Sequence, residues 1–365
     1  MKTSKALRTA VNLLLQRRYP VSLVHFVTDN CNARCPFCFI DFDHPVKLRD
    51  QMTLDQIERM VRQVGPCLSN VNLTGGEPFL RKDLKEITDL YLRLSGVQTI
   101  FITSHGGFPD RVLPFAEELS ARYPGRKLIF SFSLDDFEER HNEIRRIPGL
   151  FSKTMESYCR LSLLGRGVMV NISITVSQEN CDSVLSFYRH LRDERSVQSV
   201  TANIVRTQGV YAIPEDQREK ILKGYAALQG EIFRDMKSGR MQGYDASTLE
   251  GRLLNKKNEI LSRNTIRTFR TNEYISPCHA GSLFGVIGSE GTVYPCEILD
   301  RPLGNLKDYD FDFLKLWADT KARELRRFVR ETECRCTYGC AWTFNILGNW
   351  RYQPELAASA VGLKT

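Results

Sequence analysis

No run of apolar residues in this 365-residue chain approaches the roughly 20 needed to cross a bilayer as a helix. The N-terminus lacks the short apolar core and small-residue cleavage site of a secretory leader. Internal repeats and low-complexity tracts are missing, as is any concentrated basic and aromatic motif of the kind nucleic-acid modules show. These absences exclude a helical membrane protein and a repeat array, and the expectation is a cytoplasmic globular chain with no nucleic-acid partner. The net charge of +8 favours anionic partners, but basic residues are interspersed with acidic ones throughout, so charge alone decides nothing. Cysteine, by contrast, is plentiful. Eleven cysteines in a chain of this length without a leader, and clustered, indicate metal rather than disulfides.

Residues 3–18 place Leu7, Val11, Leu14 and Leu15 on one helical stripe, with Lys5, Arg8, Arg17 and Arg18 nearby. This basic amphipathic helix, 1–19, either packs across the bottom of the main domain or makes peripheral contact with a membrane surface. From residue 20 short β-rich runs alternate with helical patterns: 22–28, 70–74, 99–103, 128–134, 168–176 and 199–205. Six strands with intervening helices imply parallel βα units, and the fold class is α/β: a partial, TIM-like (β/α)6 barrel over 20–212. Thr53 and Gln56 have capping-box spacing ahead of an apolar face of Leu54, Ile57, Val61 and Val64. Residues 213–272 read as a charged helical connector, 273–345 as a small cysteine-rich domain organised by metal, and 346–365 as a tail.

The run Cys31-Asn-Ala-Arg-Cys35-Pro-Phe-Cys38 follows the first strand, on the edge where barrels carry their chemistry. Three close thiolates can hold three irons of a 4Fe-4S cluster and leave the fourth open to a non-protein ligand, which suggests catalysis. Zinc competes, since His25 and His44 lie near enough in sequence to complete a set. A second motif, Gly75-Gly76-Glu77-Pro78, ends the second strand on the same rim. Its glycines let backbone approach a ligand closely, and its carboxylate can accept from an amine.

CxxxCxxC after the first strand and GGEP after the second resemble the radical S-adenosylmethionine (SAM) superfamily. The resemblance implies that Cys31, Cys35 and Cys38 ligate a 4Fe-4S cluster whose open iron takes the amino and carboxylate groups of S-adenosyl-L-methionine. It implies that Gly75, Gly76 and Glu77 bind the amino group, with Pro78 closing the motif, and that Phe37 lies against the adenine. Reductive cleavage then yields a 5′-deoxyadenosyl radical that abstracts hydrogen from a substrate, with electrons from a partner such as flavodoxin or ferredoxin.

Ser133-Leu-Asp135 and His141-Asn-Glu-Ile-Arg145 are similar to the family's SxD and HxxxR patterns, in which the serine and arginine contact the cofactor. On the residues alone, Asp135 is a helix cap and Arg145 a solvated charge. Ser104-His105-Gly106 stands where relatives commonly carry Thr-Asn-Gly, so His105 is either a turn residue or faces substrate. Asn171, Asn203 and Arg206 lie on later strands, where two-residue alternation leaves their direction open.

Five more cysteines, Cys278, Cys296, Cys334, Cys336 and Cys340, are spaced in a way that resembles the SPASM and twitch extensions of radical SAM enzymes, with the usual run shortened to CxCx3C. The spacing leaves room for one auxiliary 4Fe-4S cluster, held by Cys278, Cys296 and Cys340 with either Cys334 or Cys336. A structural zinc knuckle is the plainer alternative. Glu297, directly after Cys296, matches the position of an acidic general base in some SPASM dehydrogenases, or is a surface turn acid. Cys67, Cys159 and Cys181 read as ordinary thiols.

The leading expectation is thus a radical SAM oxidoreductase or modifying enzyme acting on a small anionic, sugar-like or lipid-linked substrate. A peptide or protein side-chain maturase is the alternative within enzymes, and a non-catalytic iron-sulfur electron carrier the alternative outside them.

Overall fold

The computed structural model describes residues 4–40, 50–206 and 211–363; His44 falls outside them. One sheet of nine strands organises the chain: β1 (Ser22–Thr28), β2 (Asn70–Gly75), β3 (Thr99–Ser104), β4 (Lys127–Ser133), β5 (Val168–Val176), β6 (Val200–Ile204), β7 (Phe284–Ile287), β8 (Thr292–Tyr294) and β9 (Gly304–Asn305). The helices are α1 (Lys5–Val11), α2 (Leu54–Val61), α3 (Leu84–Leu90), α4 (Pro109–Arg122), α5 (Glu138–Arg145), α6 (Leu150–Ser162), α7 (Val184–Asp193), α8 (Glu215–Lys237), α9 (Leu249–Thr271), α10 (Phe313–Ala318), α11 (Thr320–Glu331), α12 (Gly339–Leu347) and α13 (Gln353–Ala360).

The strand order is β6-β5-β4-β3-β2-β1-β7-β8-β9, with β1 to β7 parallel and β8 and β9 antiparallel. Strands β3 and β5 alternate buried and half-buried residues, the mark of one face packed under helices and one facing the barrel interior. Strand β1 instead buries every residue, and the sheet continues on both of its edges. That continuation is a finding beyond the sequence pattern: β7 pairs with β1 from Ser22↔Phe284 to His25↔Ile287, so the cysteine-rich region extends the barrel sheet.

Capping decides several helix starts. Thr53 accepts from Gln56 N while Gln56 returns to Thr53 N, the reciprocal box that opens α2. At the N-terminus, α1 runs into a wide turn at Asn12–Gln16, which breaks the 3.6-residue period. The Leu7 and Leu15 of the stripe are therefore more than half exposed, and α1 buries none of its side chains. Its tether is polar: Lys5 Nζ donates to the carbonyls of Leu68 (2.7 Å) and Gly96 (2.6 Å).

The tail is ordered into α13 against α9. Leu356 is buried, Asn264 Nδ2 donates to Tyr352 Oη (3.0 Å), and Arg263 pairs with Glu355 (3.0 Å). No helix among the described residues is long and apolar enough to cross a membrane.

Candidate active site

The Cys31–Cys38 loop leaves β1 and folds on itself. Cys38 N donates to Cys35 O (3.1 Å), Ala33 N donates to Cys31 Sγ (3.3 Å), and Ile40 N donates to Cys38 Sγ. Amide donors thus already point at two of the three sulfurs. Burial pushes the Cys31 thiol up to about 12, with the charges of Glu77, Cys35 and Cys38 acting in the same direction. Thiolates here need a cationic centre to persist, so a donor set of three soft sulfurs with amide support fits an iron-sulfur cluster. The zinc alternative loses one of its two histidines: His25 is fully buried within β1 and its Nδ1 bonds Tyr91 Oη (3.0 Å), so it is absent from the loop. Among the described residues no three Cys, His, Asp or Glu converge on a point suited to one metal ion, whereas a cubane takes each thiolate at a separate iron.

The GGEP turn presses against that loop. A Cβ on Gly75 would lie 2.0 Å from Thr28 O, and one on Gly76 would lie 2.2 Å from Asn30 O. These glycines admit the backbone of the cysteine loop itself, which Gly76 N and Glu77 N bond at Thr28 O and Asn30 O (both 2.8 Å). Gly76→Ala is expected to cost about 1–3 kcal/mol through backbone overlap and to lower the iron retained by the first loop; urea unfolding with iron assay checks both.

The Glu77 carboxylate is fully buried and accepts from Ser104 Oγ (2.9 and 3.0 Å), His105 N (2.9 Å) and Phe79 N (3.0 Å), which locks the turn. Pro78 starts the short 3-10 turn Pro78–Leu80 that follows. His105 is a turn residue: Nδ1 accepts from Gly107 N (3.0 Å), so Nε2 carries the proton toward Asn32 Oδ1 (2.9 Å) and Glu77 (3.3 Å). It ties the second and third strand ends to the cysteine loop.

Asp135 caps no helix, the N-cap of α5 being Phe137. It is fully buried; Oδ2 takes Arg145 Nε and Nη2 (both 2.7 Å) and Oδ1 takes Thr175 N (3.0 Å). Arg145 is held by that carboxylate, with Nη1 3.5 Å from Cys35 Sγ and the guanidinium 5.5 Å from the centre of the Phe37 ring. Asp135 and the nearby Cys35 hold Arg145 charged against burial. The structure therefore aims Arg145 at the cysteine loop and makes Asp135 its positioning residue. Ser133 ends β4 half-buried, beside Ser173 of β5.

The second cysteine group sorts itself. The Cys278 thiol donates to Cys334, which raises Cys278 and lowers Cys334; Cys336 lies within charge reach of Cys296 and Cys334. Cys278, Cys296, Cys334 and Cys336 thus share one neighbourhood. Cys340, in the first turn of α12, packs against the same buried cluster that holds Cys278 and Cys296, as Cys334 and Cys336 do.

Glu297 is not a surface turn acid: its carboxylate accepts from Tyr338 Oη (2.6 Å) and pairs with Arg206 (2.5 Å), with a side chain only 7% exposed. Arg206 itself is the residue whose place the sequence left open. Its guanidinium stacks on Phe39, just past Cys38, at 4.7 Å and on Tyr338 at 4.8 Å, spanning the two cysteine regions. Lys257 of α9, unremarked in sequence, is drawn down to about 8 by burial beside Cys340. Asn171 and Asn203 bond strand neighbours, Thr201 Oγ1 (2.9 Å) and Ser173 Oγ (3.2 Å).

A parallel partial barrel with an open three-cysteine loop, a GGEP turn and a second cysteine group fused to its sheet defines a radical SAM enzyme with an auxiliary iron-sulfur domain. Residues 26–191 match the Radical SAM superfamily and residues 278–341 match SPASM, an iron-sulfur cluster-binding domain; the chain carries both, and belongs to that superfamily. Its cofactors are accordingly a 4Fe-4S cluster with S-adenosylmethionine and auxiliary iron-sulfur, which sets aside the non-catalytic carrier reading.

Similar curated proteins include GTP 3',8-cyclase of Aquifex aeolicus, 26% identical over 312 residues, 83% of this chain and 91% of that protein. GTP 3',8-cyclase of Actinobacillus succinogenes is 40% identical over 82 residues, only 22% of this chain and 24% of the relative. Among solved structures, anSMEcpe with bound AdoMet and Kp18Cys peptide aligns over 94% of this chain and 100% of its own with TM-score 0.61 at 17% identity. SuiB of Streptococcus suis bound to precursor peptide SuiA aligns over 88% and 71% with TM-score 0.59 at 15% identity. At these identities the structural likeness is one of fold.

Proposed function

We propose that the chain uses a 5′-deoxyadenosyl radical, made by reductive cleavage of S-adenosylmethionine, to take a hydrogen atom from a substrate seated between the two cysteine regions. One observation carries this reading: Arg206, just past β6, packs at once on Phe39 of the first loop and on Tyr338 of the second region, so both regions border one space. Cys31, Cys35 and Cys38 hold the first cluster. The backbone of Gly75 and Gly76 receives the amino group, Phe37 and Ser133 flank the cofactor, and Arg145 balances charge at Cys35. Cys278, Cys296, Cys334 and Cys336 hold the auxiliary cluster.

The substrate is a small anionic, sugar-like or lipid-linked molecule. The relatives named for GTP, itself small and anionic, support this reading. Peptide side-chain maturation is a second reading, favoured by the peptides bound in the anSMEcpe and SuiB structures. A flavodoxin- or ferredoxin-like protein supplies the electron.

The test is anaerobic reconstitution followed by dithionite and S-adenosylmethionine, with 5′-deoxyadenosine and methionine quantified by chromatography. Slow, equimolar formation of the two without added substrate is expected. Zinc in place of iron, or no 5′-deoxyadenosine under strong reduction, overturns the reading.

A further inference from the structure

The first 28 residues hold five basic side chains, Lys2, Lys5, Arg8, Arg17 and Arg18, and no acidic one. Helix α1 in that segment buries none of its side chains; Arg8 and Arg18 are exposed, as are Leu7 (53%) and Leu15 (65%). The helix is loosely seated. A cavity of about 800 Å³, lined by Leu13, Leu14, Leu253, Leu347 and Leu356, lies between the N-terminal segment and α9, α12 and α13. A second, of about 290 Å³, opens among Leu7, Val11 and Pro66.

The exposed apolar side chains gather on the same elements. Nine large ones are exposed among the described residues, and six of them, Leu7, Leu15, Leu249, Trp350, Val361 and Leu363, belong to the N-terminal segment, the start of α9 or the stretch 350–363. Arg17 Nη2 joins the first of these to the last by donating to Gly348 O (2.8 Å), and Arg252 Nε joins α9 to the end of α13 at Ala360 O (3.1 Å). The carboxylates there are already paired, Glu250 with Lys127 (2.9 Å) and Glu355 with Arg263 (3.0 Å).

Apolar side chains gathered in one area mark an interaction surface, where single scattered ones do not. A second copy docking on this face by two-fold symmetry would set the basic segment against its own like charge. Leucine and tryptophan among arginines, without acids, suit instead the boundary between acyl chains and anionic headgroups. We propose that the N-terminal segment and the stretch 350–363 form a peripheral docking face for an anionic lipid bilayer. Leu7, Leu15 and Trp350 enter the headgroup layer, and Arg8 and Arg18 meet lipid phosphates. Helix α1 hangs from the carbonyls of Leu68 and Gly96, just ahead of β2 and β3, so the face lies at the opposite end of the barrel from Cys31–Cys38 and Gly75–Pro78. Docking there leaves the barrel mouth clear for substrate and reductant.

The test is co-sedimentation of the reconstituted full chain with vesicles of phosphatidylcholine alone, or of phosphatidylcholine with about one-third phosphatidylglycerol. Binding is expected to the mixed vesicles and not to phosphatidylcholine alone, and to fall at about 1 M salt, where charge attraction is screened. Leu7→Asp with Leu15→Asp should weaken it at least about 10-fold, and Arg8→Gln with Arg18→Gln about 10- to 30-fold. Leu163→Asp, an exposed leucine outside the face, should bind as wild type does. Substrate-free 5′-deoxyadenosine formation should be equal in all of them.

Wild type left in the supernatant with both vesicles overturns the proposal. So does a double leucine variant that binds no worse than Leu163→Asp, or a wild-type dimer that this variant splits while vesicles capture neither, which would make the face a contact between copies. The proposal does not rest on the radical reading: vesicle binding without 5′-deoxyadenosine overturns that reading alone, and 5′-deoxyadenosine without vesicle binding overturns this one alone.

Discussion

Replacing Cys31, Cys35 and Cys38 together by alanine is expected to cut the iron of the reconstituted protein from about eight to about four atoms per chain and to abolish 5′-deoxyadenosine formation. The split follows from the separation of the two thiol groups. The first three sulfurs sit on a loop whose amides bond Thr28, Cys31 and Cys35, whereas Cys278, Cys296, Cys334 and Cys336 act on one another. Iron counting with visible spectroscopy before and after dithionite checks it. Loss of all iron would mean that the auxiliary group cannot load alone. Unchanged iron would mean that the loop is not a cluster site. Cys336→Ala added to this series should lose auxiliary iron, because Cys336 lies with Cys296 and Cys334.

The second large effect is at Asp135. Its carboxylate is the partner of a buried guanidinium and of Thr175 N, so Asp135→Ala leaves Arg145 charged and unpaired in the interior. Removing one member of a buried pair costs about 3–5 kcal/mol. The loss should also loosen the first loop, since Arg34 N bonds Arg145 O (3.2 Å) and Arg145 reaches Cys35. Urea unfolding of the apo chain reads the stability, and iron retention reads the loop. The double variant Asp135→Leu with Arg145→Met should recover much of the stability and none of the 5′-deoxyadenosine formation. If the single variant unfolds at the wild-type midpoint, the pair is not the strut described here.

Much of the site was legible because its signals are local. CxxxCxxC and GGEP each occupy a single turn after a strand, and six β-rich runs at regular spacing announce the barrel. What escaped depends on groups far apart in sequence. The pairing of Ser22 with Phe284 has no local signature, because β7 is four residues long and apolar like any buried segment. Glu77 looked available since its partners, Ser104 and His105, arrive from another strand end. The clamp on Glu297 escaped since Arg206 and Tyr338 lie 91 and 41 positions away from it. Lys257, half-buried in α9, sits among the charged residues of a long helix and carries no pattern at all.

The hydrogen-bonded seam between β1 and β7 has a further consequence. The strand that launches the first cysteine loop is flanked on one side by a strand from the region that carries the second. A chain cut in the connector after α9 would strip β1 of that neighbour and bare a row of unpaired amides and carbonyls along an apolar strand, an invitation to stick to other copies. The two halves are therefore not separable modules on a tether. A distortion that reaches one metal region is transmitted to the other through shared backbone, and the protein should lose both together when it melts, in a single transition rather than two.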